Sequence, residues 1–208
     1  MSKGRAIATI GVVAILAVGV IYYLSAVRCL GHESREPPKP YDVAMYEVYS
    51  TVLRGVGGKA LLIQSDTRGL VGLEPEPSNV PDRPANDAAS QAFADYRQRH
   101  SSPLAIAPRF QLNKKYGFVS SDRITALLQT AASGRDPTFC KDFSAYDTFV
   151  ALSPVGFDSD QSFAVVMIHV WRGPCFGAWS SESKTLRKHC GRWKIIDTGF
   201  STILNDRF

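Results

Sequence analysis

Hydrophobic and polar positions follow three different periods along this chain. From Ala6 to Val27 there is no period at all: 22 residues pass without a charge. At about 1.5 Å rise each, they match a hydrocarbon core about 30 Å thick, so the pattern predicts one membrane-spanning helix. Tyr22 and Tyr23 fall at its outer end, and Arg28 follows where it can reach the headgroups. A cleaved signal peptide would have a shorter apolar core and a small-x-small site, for which Leu24-Ser25-Ala26 is a poor substitute.

A helical period takes over after a polar stretch at 31–40 that contains Pro37, Pro38 and Pro40 and predicts a stiff linker. Over Tyr41–Val56, Tyr46, Tyr49, Leu53 and Val56 share one face, while Asp42, Glu47, Ser50 and Arg54 share the other. Gly57 and Gly58 stop the helix, and Ala60–Ile63 is a short apolar run suited to a buried strand. A long loop over 66–84 holds four prolines. Further helices are predicted from Asn86 or Asp87 to His100 and from Ser121 to Ser133, then a short turn at 137–146 carrying Phe139, Phe143 and Tyr146 inward.

The last third alternates with period two. Strands are predicted at Thr148–Leu152, Ser162–Arg172, Gly177–Arg187 and Trp193–Ile196. In the second of these, Phe163, Val165, Met167, His169 and Trp171 point one way and Ala164, Val166, Ile168 and Val170 the other, so both faces are covered. The expected architecture is α+β: an N-terminal transmembrane helix (residues 1–28), a linker (29–40), and an extracytoplasmic domain (41–208) with helices packed on a C-terminal antiparallel meander.

Composition changes the picture only in location. The formal net charge is +5, but Lys3, Arg5 and Arg28 flank the apolar run, which leaves the other 180 residues with 21 bases and 19 acids. That balance argues against a nucleic-acid partner, which needs concentrated positive charge. The bilayer, through residues 6–27, is the expected partner, with an envelope protein, polymer or small ligand for the domain. The positive-inside count is nearly even, and cysteines outside any C-x-x-C fit an oxidising compartment, so the domain is expected outside the cytoplasm.

Ser153-Pro-Val-Gly-Phe157-Asp158, Ala164-Val-Val-Met167, Gly173-Pro-Cys175-Phe-Gly177 and Gly191-Arg-Trp193-Lys194 together resemble a group of uncharacterised bacterial exported or membrane-anchored proteins. Their C-terminal region reads S-x-V-G-F-N, then a C-G-x-x-C-G turn, then G-x-W-K. Asp158 replaces the usual asparagine, and Trp171 stands where the turn's first cysteine would be. The resemblance implies a bacterial cytoplasmic-membrane location and brings no activity with it.

Candidate chemistry is sparse. There is no nucleophile elbow, H-E-x-x-H, P-loop or dinucleotide fingerprint, and neither a metal nor a cofactor is expected. His169, among apolar neighbours, is the one candidate for a perturbed group, against the plainer reading of a core histidine. A small hydrolase would set Cys140, Cys175 or Cys190 as a thiolate beside His169 or His189. Phe176 and Trp179 are either core or an exposed contact patch. A noncatalytic binding or structural domain is the simpler expectation.

Cys175 and Cys190 lie at opposite ends of one predicted strand, too far apart to bond. If Ser153 faces Gln161 across a hairpin, position 140 falls opposite position 174, bringing Cys140 toward Cys175. In the resembled group Cys175 would have a cysteine four residues before it, where Trp171 now stands. A Cys140–Cys175 disulfide is therefore expected, with Cys190 free and Cys29 at the membrane surface.

The length of the apolar run carries a direct prediction. Full-length protein should sediment with membranes, resist high salt and be released by detergent. A soluble mature form beginning after Ala26 would contradict the anchor.

Overall fold

The computed structural model describes residues 37–67, 87–131, 141–172 and 178–204. Two compact units divide the chain: Met1–Pro37 with His189–Arg192, and Pro38–Lys188 with Trp193–Phe208. The sheet and helices below belong to the second, apart from the tip of its last hairpin. The predicted membrane span at 6–27 lies outside the described residues, among which no helix is long and apolar enough to cross a membrane.

Three helices form where the helical period predicts them: α1 (Tyr41–Gly55), α2 (Ala88–His100) and α3 (Ser121–Ala131). Asp87 caps α2, its carboxylate accepting from the Ser90 amide at 2.6 Å. The strands are β1 (Ala60–Gln64), β2 (Lys115–Val119), β3 (Thr148–Leu152), β4 (Gly156–Phe157), β5 (Phe163–Arg172), β6 (Ala178–His189) and β7 (Arg192–Leu204). They make one sheet in the order β2-β1-β3-β5-β6-β7, with β4 paired to β5.

The α+β class is found, but the sheet is mixed. β1 runs parallel to both β2 and β3, whereas β3 and β4 pair antiparallel with β5, and β5 with β6. Sequence periodicity reports which faces are buried and not which strands are neighbours; helical crossovers make β1 parallel to its neighbours. β2 was invisible because Lys115-Tyr-Gly-Phe-Val119 has no alternation and lies at an edge with only Val119 buried.

Burial follows β5. Ala164, Val166, Ile168 and Val170 join Ala44, Val48, Val52 and Leu53 of α1 in the main core. On the opposite face Trp171 packs with Leu62, Val119, Ile124, Phe149 and Ala151, with Phe143 and Tyr146 laid against them. Phe139 lies outside the described residues.

The β3–β5 register differs from the expected hairpin. Thr148 pairs with Arg172 and Leu152 with Ile168, so Ser153 meets Met167 instead of Gln161. No tight turn follows β3. Ser153 accepts the Met167 amide on its hydroxyl at 2.8 Å, and β4 then pairs Gly156 with Val165 and Phe157 with Ala164. The turn comes later, where Asp158 accepts from the amides of Ser162 and Phe163, both at 2.8 Å. Position 140 is not brought opposite 174 by this ladder, so the register argument for Cys140–Cys175 fails; both cysteines lie outside the described residues.

A polar latch closes the edge at β4. Asp95 of α2 accepts from the Phe157 amide and from Arg99, both at 2.9 Å, and the Arg99 guanidinium lies 3.8 Å from the centre of the Tyr41 ring. Tyr41 in turn donates to the Val155 carbonyl at 2.9 Å. Burial pushes the Tyr41 hydroxyl up to about 12, so it stays a donor at any ordinary pH.

Close approach of α2 to β4 depends on Gly156, where a Cβ would collide with the Ala92 carbonyl and the Tyr96 amide. Gly156→Ala should lower stability by about 3 kcal/mol in unfolding of the full-length chain, the upper range for overpacking. Gly55→Ala, with nothing within 4 Å, should leave it unchanged or slightly higher. Equal effects would mean that α2 does not seat on β4.

Candidate functional site

His169 sits at the middle of β5 with Ala151 opposite on one side and Ser181 on the other. Alternation turns it toward the Trp171 face, its ring 6.0 Å from that indole, and leaves it 8% exposed. His100, at the C-terminus of α2, stacks on Tyr96 at 5.4 Å and is close enough to disfavour a second positive charge. Burial first, and His100 second, lower the His169 pKa from 6.5 to about 4. It is a neutral imidazole at pH 7.

The surroundings do not build a catalytic relay. His169 Nδ1 has no hydrogen-bond partner, nor has the hydroxyl of Ser181, although the two residues are cross-strand neighbours. A general base needs its nucleophile within hydrogen-bond reach and a third group to orient it. Among the described residues, no carboxylate or thiol bonds to His169, and no three His, Cys, Asp or Glu side chains converge as a metal site.

Cys190 corrects the expectation of a free thiol: it is disulfide-bonded, so it offers no thiolate to a hydrolase. Its partner lies outside the described residues. His189 beside it is exposed. Phe176 lies outside the described residues, while Trp179 stands in β6 opposite Trp171.

Two features were missed by sequence reasoning. The first is a polar group at the carboxyl ends of β1 and β2. There Asp66 accepts from Ser121 at 2.5 Å and from the Gln64 amide at 3.3 Å, fastening the end of β1 to the start of α3. No local motif marks these three residues. The second is the exposure of β7, whose residues 194–198 are all exposed, Ile195 at 39% and Ile196 at 53%. A signal was present: two adjacent isoleucines between Lys194 and Asp197 break the alternation of a one-sided strand.

No protein-family model, curated protein or solved structure matches the chain.

The depressed pKa fixes a pH dependence. Between about 4 and 6.5 the unfolded chain binds a proton that folded His169 refuses, so stability present above this window is lost as pH falls through it. The full loss is about 3 kcal/mol at roughly 1.4 kcal/mol per pKa unit. His169→Gln should cost stability at pH 7 and flatten the profile between pH 4 and 6.5. An unchanged profile would show that His169 titrates normally.

Proposed function

We propose that the chain is a noncatalytic binding domain, held outside the bacterial cytoplasmic membrane by residues 6–27, that takes an extended segment of an envelope protein along β7. The observation that carries this reading is the exposure of β7 itself. It is the last strand of the sheet, 13 residues long, and it presents two large apolar side chains to solvent.

An edge strand has unpaired amides and carbonyls, and an added strand satisfies them while side-chain pockets set specificity. Lys194 and Asp197 beside the isoleucines discourage indiscriminate self-pairing by charge. Support from the sequence comes from the apolar run and from the resemblance to exported bacterial proteins.

A photo-crosslinking residue at position 196 of the membrane-embedded chain should give a discrete adduct with an envelope protein. Thr198→Pro, which removes a strand amide, should abolish it. Absence of any adduct from 196, or the same adducts from exposed Val43 on α1, would overturn the reading.

A further inference from the structure

We infer that β7 carries a β-bulge within residues 194–197, which keeps the open edge of the sheet from pairing with a second copy of the chain and leaves residues 198–204 to a segment of another protein. Its role rests on the reading of β7 as a binding edge.

The bulge follows from the faces that side chains occupy at the two ends of the strand. Pairing with β5 fixes the alternation of β6. Leu186 lies opposite Ala164 and joins the main core, whereas Ser183 lies opposite Met167 on the other face. At the start of β7, Trp193 belongs to the main core, its ring 5.8 Å from that of Phe157. Lys188, on the same face of β6 as Leu186, brings its ammonium to 5.8 Å from that indole. Only Cys190 and Gly191 separate the two strands, which sets Lys188 opposite Trp193.

Further along, Gly199 takes the other face. A Cβ on it would lie 3.5 Å from the Ser183 Cβ and would collide with the Ser183 hydroxyl. Its neighbour Thr198 is on the main-core face, where Lys184, opposite Val166, donates to its hydroxyl at 3.1 Å. Strict alternation would put Trp193 and Gly199, six positions apart, on one face. They occupy opposite faces.

Counting along the ladder gives the same result. Five steps on β6, from Lys188 to Ser183, are matched by six on β7, from Trp193 to Gly199. One residue of β7 is extra, so two residues there oppose one on β6. None of residues 193–199 has a positive φ, which excludes the glycine form of bulge. The unbroken exposure of 194–198, Ile195 and Ile196 included, is the broken alternation that an extra residue produces.

A bulge bends its strand and interrupts the row of free amides and carbonyls that an added strand needs. The 13 residues of β7 therefore offer no continuous edge. Two copies meeting edge to edge would each set a bulge, Lys194 and Asp197 against the other's strand. A separate segment of about five or six residues, an ordinary strand length, fits the regular stretch beyond the bulge.

Engineered cysteines read the register directly. Full-length protein carrying Ser183→Cys and Gly199→Cys should form a bond between those positions on mild oxidation, since a Cβ separation of 3.5 Å suits a disulfide. Ser183→Cys with Thr198→Cys should not. Deleting Ile196 should leave the 183–199 bond intact and the melting temperature within about 5 °C of the parent, because the shortened strand is then regular. The deletion variant should also self-associate in sedimentation velocity at concentrations where the parent does not. A bond from 183 to 198 instead of 199 would overturn the inference, as would a deletion variant that unfolds or stays as dispersed as the parent. The 183–199 bond forms without any partner, so a missing adduct at position 196 would remove the binding reading and leave the bulge in place.

Discussion

Strand β5 imposes the constraint on which the rest of the fold depends. Its residues 164–171 are all buried, so both faces need a covering layer and both edges need a paired strand. The two edges are met by β3 with β4 on one side and by β6 on the other. The main face is covered by α1 and the opposite face by the layer around Trp171. Because β3 is too short to span the whole of β5, β4 completes the edge, and Gly156 lets α2 approach the backbone there.

That burial also explains why His169 is neutral. An imidazolium would have to be desolvated among β-strand side chains without a carboxylate and with His100 nearby. The histidine has the environment of a core residue, while exposed apolar surface collects on β7. Buried core and exposed apolar surface are therefore separated within one sheet, residues 164–171 of β5 buried and residues 194–198 of β7 exposed.

Elements whose own residues determine their burial were legible from sequence. β3 matches its predicted limits, β5 begins one residue later than expected, and Asp87 caps α2 as its position beside an apolar pattern suggested. Relations between elements were not. The parallel pairing of β1 depends on crossovers, and β4 is too short to leave a pattern. The β3–β5 register was displaced by the insertion of β4 and an Asp158 turn. The polar 31–40 segment read as a linker, yet its Lys39 is fastened to Gln161, 122 positions away, by backbone groups that no composition could disclose. His169 was legible as a buried histidine, whereas the unpartnered Ser181 beside it depended on knowing the β5–β6 register.

Native-state hydrogen exchange of the full-length chain tests most directly the contrast between an enclosed β5 and an open β7. Amides of Val165–Val170 should exchange only through global unfolding, while outward-facing amides within Lys194–Thr198 should exchange orders of magnitude faster. Uniform slow exchange across β7, or rapid exchange within β5, would contradict the account.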